Sequence, residues 1–436
     1  MLVLTISLLV FSIPAIASYH TDDNEARIVD AEDEEYVIGD QRTPVEIPIM
    51  NSEYEGAAEC AQCHSDIYND WSTTGHNYIL MTPEQALDIR PDLPFPDGYT
   101  QEDISYVIGG WGWKARYLDS QGFFVTKTGS DLEINGSNQY NLATGEWVDY
   151  HAGEQLQYNC QRCHTTGAFY NVDTDGLEGT DGAWVFEGVQ CEACHGPGSI
   201  HIDNMLKGSD VLAIDVNSSA ELCGECHIRG SEEDKIPASK GFVNHHEQYQ
   251  EFLASGKLEL MDCVVCHDPH KPVHLGATND VEGAGIIAEC ADCHGDAVLE
   301  YEGSAKQIAG IECVDCHMPK NVRSAVNTSM YVGDIRSHLF RINTDVDAKF
   351  TFIDPGDGKE YANPFITVEY ACLSCHEGES KEWAALNAPG MHSLETVMIP
   401  DGDEVPAEEL PSEDVPGFES LFASLILVMV YIFRRR

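Results

Sequence analysis

Aromatic and apolar residues are spread unevenly along the chain, and one segment combines them with turn residues. Between residues 77 and 159 they include Trp111, Trp113, Tyr117, Phe123, Phe124, Val125 and Trp147. Turn signals at Gly129-Ser130 and Asn135-Gly136 divide this segment. The pattern predicts a small unit of β-hairpins. We expect its aromatic side chains to pack in a core rather than to line a ligand site.

The amino terminus begins with an apolar run. Residues 1–17 are almost wholly apolar and end in the small-residue pattern Ala15-Ile16-Ala17. This predicts a secretory signal peptide, too short to span a bilayer, and a buried helix of the mature protein is the alternative. Residues 18–58 are acidic, and we expect them to form a poorly ordered arm.

The carboxy terminus carries a second apolar run. Residues 396–416 are rich in proline and acid, which predicts an extended linker. Pro416-Gly417-Phe418, the run Leu421–Phe433 and three arginines follow. Residues 417–436 therefore predict a membrane anchor whose arginines stay cytoplasmic, with the body of the protein outside the cell. The tail resembles the PGF-type sorting signals of archaea, in which a lipid anchor replaces a cleaved tail, and a simple single-span anchor is the alternative.

Charge narrows the range of partners. The chain has 24 basic and 74 acidic residues, for a formal net charge of −50. This balance excludes a nucleic-acid binder and opposes contact with an anionic membrane surface. It suits solubility and binding to cationic partners or metal ions.

All sixteen cysteines fall in one repeated motif. Each of eight pairs has two residues between its cysteines and a histidine directly after the second cysteine. Motifs 1 to 8, in chain order, are Cys60/Cys63/His64, Cys160/Cys163/His164, Cys191/Cys194/His195, Cys223/Cys226/His227, Cys263/Cys266/His267, Cys290/Cys293/His294, Cys313/Cys316/His317 and Cys372/Cys375/His376. Cys-x-x-Cys-His is the attachment site of c-type haem, so the sequence predicts eight covalently attached haem c groups. No cysteine is left for a disulfide.

The spacing within each motif matches the chemistry of haem attachment. Two thiols three residues apart lie on one side of a helical turn, where they can add to the two vinyl groups of one porphyrin. The next residue then brings its imidazole to the iron. Zinc is the alternative, because paired Cys-x-x-Cys units also hold it, but zinc does not require a histidine after every pair.

The density of motifs predicts the fold class. Six motifs lie between Cys160 and Cys316, which is too little chain to wrap each haem separately. We expect the haems to pack together and form the core of residues 59–395. The predicted fold is mainly α with much irregular loop, a multihaem cytochrome c scaffold with residues 77–159 as a β-hairpin insertion after the first haem.

The second axial position decides whether an iron only passes electrons or also binds a substrate. Ten histidines lie outside the motifs, and His20 is the least suitable as an intramolecular ligand. We expect distal iron ligands among His76, His201, His245, His246, His270, His274, His338 and His392, in addition to the eight motif histidines. His151 is the weakest candidate, because it lies beside the predicted hairpins. Met261 and Met318 are alternative thioether ligands.

Local spacing constrains which haem a distal histidine can reach. If residues 67–76 are helical, His76 lies about 18 Å along the axis from His64, so we expect it to reach a different haem. The same reasoning applies to His201 and His195. His245 and His246 are adjacent, so we expect their side chains to diverge and to serve two haems or only one.

Several short segments carry a family resemblance. They are Cys60-Ala-Gln-Cys63-His64 with Trp71, Thr74 and His76, Gly196-Pro197-Gly198 with His201, His267-Asp268-Pro269-His270, and His317-Met318-Pro319-Lys320. These resemble the multihaem cytochromes grouped with hydroxylamine oxidoreductase, its small tetrahaem carriers, and the multihaem nitrite and tetrathionate reductases, over residues 59–395. The resemblance implies a mainly helical scaffold with haems in alternating parallel and perpendicular pairs, and distal ligands at His76, His201, His270 and His338. Unlike many of those reductases, this chain has no motif that ends in lysine.

Two functions are consistent with these features. The first is a surface-anchored octahaem cytochrome that carries electrons between the membrane and an extracellular acceptor or redox partner, and is an electron-transfer protein rather than an enzyme. The alternative is a multihaem oxidoreductase with one open haem acting on a small nitrogen or sulfur compound, such as nitrite, hydroxylamine or tetrathionate. Local arginines (Arg162, Arg229, Arg323) would then offset the acidic surface. A third hypothesis is a subunit of a haem filament that donates His20 to a neighbour.

Overall fold

The computed structural model describes residues 26–29, 35–38, 52–170, 177–229, 235–275 and 281–392, with the backbone alone for the first two ranges and for residues 275 and 281–282. The predicted signal peptide, linker and anchor lie outside the described residues. The chain divides into two units, Met1–Leu394 and Glu395–Arg436, and the second also lies outside them. Among the described residues, every helix is too short or too polar to cross a membrane.

The helices are short. The α-helices span Ala57–Cys60, Ser65–Trp71, Pro83–Ile89, Gln161–His164, Cys191–His195, Ser199–Leu206, Ala220–Gly224, Gln248–Ala254, Gly295–Tyr301, Ala305–Ile308, Cys313–His317 and Lys381–Asn387. Single 3₁₀ turns occupy Gln101–Asp103, Lys257–Glu259, Cys263–Val265 and Cys290–Asp292, and a π-helical turn occupies Glu369–Leu373. Each of the eight cysteine motifs contains the beginning or the end of one of these helices or turns, so the motifs set the local structure.

Each motif forms a helical turn for local reasons. In motifs 1, 4, 5, 6 and 8 the backbone N–H of the histidine donates to the carbonyl of the first cysteine at 2.9–3.0 Å. In motifs 6 and 7 a capping box starts the turn, with Glu289 paired to Asp292 and Glu312 paired to Asp315. The two cysteines and the histidine are therefore presented from one turn, as haem attachment requires.

The N-terminal sheet lies within the segment predicted to form hairpins. Its antiparallel strands follow in the order Leu80–Met81, Ile104–Gly109, Lys114–Asp119, Gln139–Asn141 and Glu146–Val148. The turn after the second strand needs glycine, because Gly109 has φ 72° and an added Cβ would lie 2.5 Å from the Lys114 carbonyl oxygen. Tyr117, Phe124 and Trp147 pack in or against the clusters of this sheet. These three aromatic side chains are core residues, as the pattern predicted, whereas Trp111, Trp113 and Phe123 are only partly buried and lie outside the clusters.

The C-terminal sheet joins distant segments. Its strands follow in the order Val322–Arg323, Phe242–Asn244, Ile236–Ser239, Glu360–Ala362 and Thr351–Ile353, with the first pair parallel and the others antiparallel. A second hydrophobic core, which includes Phe242, Leu339 and Ile366, packs on it. The sequence analysis did not predict this sheet, because its strands are only two to four residues long.

Five two-stranded pairs complete the strands that the structure describes. They are Ala26–Val29 with Glu35–Ile38, Lys127–Thr128 with Ile134–Asn135, Thr165–Thr166 with Phe186–Glu187, His274–Leu275 with Val281–Glu282, and Ile342–Asn343 with Ile366–Thr367. The first pair lies in the acidic arm, where no regular structure was expected. The end of the arm also packs against the body, because Glu55 and Gly56 donate backbone N–H groups to the buried Glu192 carboxylate at 2.7–3.1 Å.

Apolar burial differs sharply along the chain. Between motif 3 and motif 7, large apolar side chains stand exposed at Met205, Leu206, Val211, Leu212, Val216, Leu260, Val265, Ile286, Ile287, Leu299 and Ile308. The two sheets bury most of the hydrophobic side chains in the described part of the chain. The expectation of a mainly α fold holds only in part: short helices carry the motifs, but two five-stranded sheets supply the side-chain cores.

Candidate haem-binding sites

Five motif histidines each face a second imidazole. The ring centroids are 6.4 Å apart for His64 and His201, 6.2 Å for His76 and His227, 6.1 Å for His195 and His270, 6.1 Å for His267 and His338, and 5.6 Å for His317 and His392. Metal–imidazole bonds are about 2.0 Å long, so two imidazoles on opposite sides of one metal ion have centroids roughly 6 Å apart. The observed spacing is that of two axial ligands.

Hydrogen bonds orient several of these rings. The Nδ1 atom of His195 lies 2.6 Å from the Asp215 carbonyl oxygen, and that of His201 lies 2.6 Å from the Leu212 carbonyl oxygen. The Nδ1 atom of His317 lies 2.8 Å from the Phe340 carbonyl oxygen. A proton on Nδ1 leaves Nε2 as the lone-pair nitrogen, which is how protein surroundings commonly prepare a histidine for a metal.

Burial keeps the rings of His76 and His267 neutral. It lowers the pKa of His76 to about 4, with His227 adding to the shift, and it lowers the pKa of His267 to about 4. Iron binds neutral imidazole, so these shifts favour ligation. The His76 ring is surrounded by protein atoms, yet its side chain is exposed. It therefore lines an open space within the protein rather than the packed interior.

Cysteines of different motifs approach one another. Four pairs of thiols from different motifs lie close enough to shift the pKa of one partner: Cys60 with Cys191, Cys163 with Cys226, Cys223 with Cys263, and Cys290 with Cys313. Cys194 lies near Cys226, Cys266 near Cys293, and Cys316 near Cys372, each close enough to raise the pKa of the first thiol. These contacts connect the motifs in the order 1, 3, 4, 5, 6, 7, 8, and motif 2 joins at motif 4.

The predicted distal histidines are placed as follows. His76, His201, His270, His338 and His392 each face a histidine of a motif, and neither His76 nor His201 faces the motif histidine nearest in sequence. The helical assumption for residues 67–76 was wrong, because the helix ends at Trp71 and turns follow.

His245 and His246 depart from the expectation that they diverge. Their ring centroids are 4.5 Å apart, because the left-handed backbone at His246 (φ 73°) turns its ring back toward its neighbour. His246 also lies 6.4 Å from His227. His274 occupies a short strand, and the buried His151 holds the carboxylate of Glu154 at 3.0 Å.

Motif 2 has different surroundings. In the part of the chain that the structure describes, no second imidazole faces His164 at the spacing of the five pairs. Burial lowers the pKa of His164 to about 4, and Arg116 and Arg229 lower it further. Burial, Lys114 and Arg229 likewise lower the pKa of His245. Two arginines therefore lie near the motif 2 histidine, and Lys114 lies near His245, in a strongly acidic protein.

Two of these cations come from the N-terminal sheet. Strand Lys114–Asp119 alternates, so that Ala115 and Tyr117 point into one cluster while Lys114 and Arg116 lie on the opposite face. Arg116 lies over the Tyr150 ring, 3.4 Å from its centroid. Sequence reasoning assigned this segment a packing role only and missed both residues, although the alternation was readable.

One aromatic and one basic side chain, Tyr158 and Arg229, complete the surroundings of motif 2. Burial raises the pKa of Tyr158 well above its usual value, so its phenol stays protonated, and its ring centroid lies 6.4 Å from that of His164. Arg229 is buried, and its guanidinium lies 3.3 Å from Nδ1 of His245. Of the other arginines named from the sequence, Arg162 lines a small cavity of about 50 Å³ with Cys194 and Cys226. Arg323 instead lies over the Phe242 ring.

Motif 6 is open to solvent. Cys290, Cys293 and His294 are exposed, and residues 293–297 line a cavity of about 410 Å³.

Motif 8 is enclosed on one side only. Cys372 packs against the C-terminal core, whereas Cys375 and His376 are exposed. The reason is local, because Cys372 belongs to the buried π-helical turn Glu369–Leu373 and Cys375 lies beyond its end. The His376 ring lies 4.8 Å from that of Trp383.

The second cysteine is exposed in four of the eight motifs. These cysteines are Cys63, Cys194, Cys293 and Cys375. A free cysteine that only packs is among the most buried residue types. Exposed thiols at the same position of the motif are therefore placed for attachment to a group outside the packed side chains.

The residues present fit covalently bound haem c. Each motif presents its thiols and imidazole from one turn, five motifs have a facing imidazole at metal-ligand spacing, and apolar side chains stand uncovered around the motifs. The cysteines and histidines of motifs 1 to 8 would hold the haems, which supply one-electron iron chemistry when bound.

Comparisons with known proteins agree with this fit. Residues 129–196, which contain motifs 2 and 3, match the family described as cytochrome c554 and c-prime. No curated protein sequence is significantly similar to this chain.

Solved structures of multihaem proteins are also similar. The octahaem sulfite reductase MccA of Wolinella succinogenes is 18% identical with a TM-score of 0.54, and the similarity covers 74% of this chain and 65% of the reductase. This chain thus spans less than two thirds of that protein. The outer cell wall cytochrome OcwA is 22% identical (TM-score 0.47, 77% of this chain and 86% of that one). The undecahaem cytochrome from the S-layer of Carboxydothermus ferrireducens is 17% identical (TM-score 0.44, 77% and 59%). The family match, the fold shared with the reductase and the attachment motifs together support a multihaem c-type cytochrome that transfers electrons.

Proposed function

We propose that this protein is an octahaem cytochrome that carries electrons between the membrane and an extracellular acceptor or redox partner. The observation that carries the proposal is the set of five facing histidine pairs at 5.6–6.4 Å. Iron with two histidine ligands has no position for a substrate and is suited to electron transfer.

The contacts between motifs support the same function. Cysteines of successive motifs lie close together, so haems held by them would come near one another along the order given above. An electron carrier needs such a continuous series. The surface location in this proposal rests on the terminal segments, and the acidic surface favours cationic partners.

A spin-state count tests the proposal. Electron paramagnetic resonance and resonance Raman spectra of the oxidised protein would be normalised to its haem content. A carrier predicts eight haems per chain, all low-spin and six-coordinate. Fewer than eight haems would contradict the predicted count, and about one high-spin haem in eight would show an open site.

The surroundings of motif 2 favour a second candidate function. Arg116 and Arg229 lie near His164, and Lys114 and Arg229 lie near His245, so the three side chains form a cationic site next to these two histidines. We propose that, if the motif 2 iron has an open position, it acts on a small anion such as nitrite or tetrathionate. Hydroxylamine is uncharged at neutral pH and gains little from this cluster.

Anion titration distinguishes the two candidates. Nitrite is added to the oxidised protein, and the high-spin signal and the Soret band are followed. Saturable loss of one high-spin signal supports the second candidate, and its weakening in Arg229→Gln assigns the site to motif 2. If His245 or His246 ligates that iron instead, every haem is low-spin, nitrite produces no saturable change, and the carrier alone remains.

A further inference from the structure

The hairpin that carries Lys114 is hydrogen-bonded to a loop that follows a strand of the C-terminal sheet. The indole nitrogen Nε1 of Trp113 donates to the Asp334 backbone carbonyl at 3.3 Å. The Lys114 ammonium donates to the Ser324 carbonyl at 2.5 Å. Both acceptors belong to the segment 324–334 that follows strand Val322–Arg323 of the C-terminal sheet.

Asp334 organises that segment. Its carboxylate accepts the backbone N–H groups of Ser324 at 2.6 Å, Ala325 at 2.7 Å and Val326 at 2.9 Å. Three donors on one carboxylate hold the loop in a single conformation. The Ser324 carbonyl that receives Lys114 is thereby kept in place, and the Asp334 carbonyl holds the neighbouring Trp113.

We propose that Asp334 is a positioning residue that holds Lys114 in the cationic site next to His164 and His245, on the His245 side, and so strengthens the binding of small anions there. The inference rests on the second candidate function given above. Asp334 itself makes no contact with the anion in this proposal and acts through the Ser324 carbonyl and the Trp113 indole.

The direction of the change in nitrite affinity in Asp334→Asn distinguishes a positioning role of Asp334 from a purely electrostatic one. Replacing an aspartate with asparagine removes a negative charge, which by electrostatics alone strengthens anion binding at a nearby site. Loss of the clamp frees Lys114 from Ser324 and weakens binding. The two explanations therefore predict opposite changes in nitrite affinity for the same substitution.

The test uses the haem-loaded protein and nitrite as the probe. We expect Asp334→Asn to weaken nitrite binding about 10-fold, and Lys114→Gln to weaken it at least as much, since these are typical losses for one charged contact. Because Asp334 acts through Lys114, the double variant is expected to match Lys114→Gln alone. Asp354→Asn is the matched control, because Asp354 also accepts a loop N–H, from Gly356, but lies in another loop. Its nitrite affinity should equal that of the wild type.

Carbon monoxide binding to the reduced protein provides a second readout. A neutral ligand does not depend on Lys114, so its affinity should be unchanged in Asp334→Asn. If this variant folds poorly, Trp113→Phe removes only the indole donor and should weaken nitrite binding about threefold.

The outcomes separate the two proposals. Unchanged or stronger nitrite binding in Asp334→Asn or Trp113→Phe overturns the positioning role and leaves the anion site standing. Additive losses in the double variant overturn it as well. If the wild-type protein binds no nitrite, the anion site itself is wrong, and the positioning role falls with it.

Discussion

The N-terminal sheet and the motif stretch, which comprises residues 199–219 and 256–317, differ in what stabilises them. The sheet buries Leu80, Val107 and Tyr117 completely, in clusters built from its own side chains. The motif stretch leaves Leu206 and Ile308 80% exposed. A chain with so little self-burial gains too little hydrophobic free energy to offset its conformational entropy. The difference indicates that the motif stretch needs its haems as a core, whereas the sheet does not.

The largest difference between the two regions should appear when haem is withheld. In protein produced without haem attachment, we expect residues 199–219 and 256–317 to be cleaved rapidly in limited proteolysis, because their large apolar side chains are exposed. A fragment that contains the N-terminal sheet should survive, because its core is complete without haem. Mass spectrometry of the fragments, with haem-loaded protein as control, checks this. Equal resistance of both regions would mean that side-chain packing alone folds the motif stretch.

Replacing leucine with alanine should lower the free energy of unfolding by different amounts in the two regions. Leu80→Ala, at a fully buried position of the N-terminal sheet, should lower the free energy of unfolding by about 2–5 kcal/mol. Leu206→Ala should change it by less than about 0.5 kcal/mol. Urea unfolding of the haem-loaded protein, followed by circular dichroism, measures both. A cost above about 1 kcal/mol at Leu206 would show that this side chain packs against a haem.

A smaller effect is expected where a side chain links two motifs without haem. The Glu192 carboxylate in motif 3 accepts backbone N–H groups of Gly56 and Gly198, both at 2.7 Å. Glu192→Gln leaves one of these donors unpaired and should cost about 1–3 kcal/mol in the same unfolding assay. Glu221→Gln, at an exposed glutamate that also lies in the first turn of a motif helix, is the control and should cost almost nothing. Equal costs would show that Glu192 does not link motif 1 to motif 3.

Local patterns predicted the local features well. The helical turn of each motif and the hairpin unit at residues 77–159 follow from spacing and turn residues, and the structure contains both. The C-terminal sheet was not predictable, since strands such as Phe242–Asn244 are too short for periodicity to show. The cationic site at motif 2 was also missed. Its cations come from two separate segments and the motif histidine from a third, and no single segment carries the signal.

The sequence by itself determined the chemistry of attachment, because two cysteines and a histidine within one helical turn meet a porphyrin without help from distant residues. Only the tertiary structure decided which second histidine faces each motif. His64 faces His201, and His195 faces His270, through loops whose paths depend on packing. It also decided that Arg116 and Arg229 lie near His164, and that Lys114 lies near His245. Contacts between distant segments depend on how sheets and loops dock, and spacing along the chain does not contain that information.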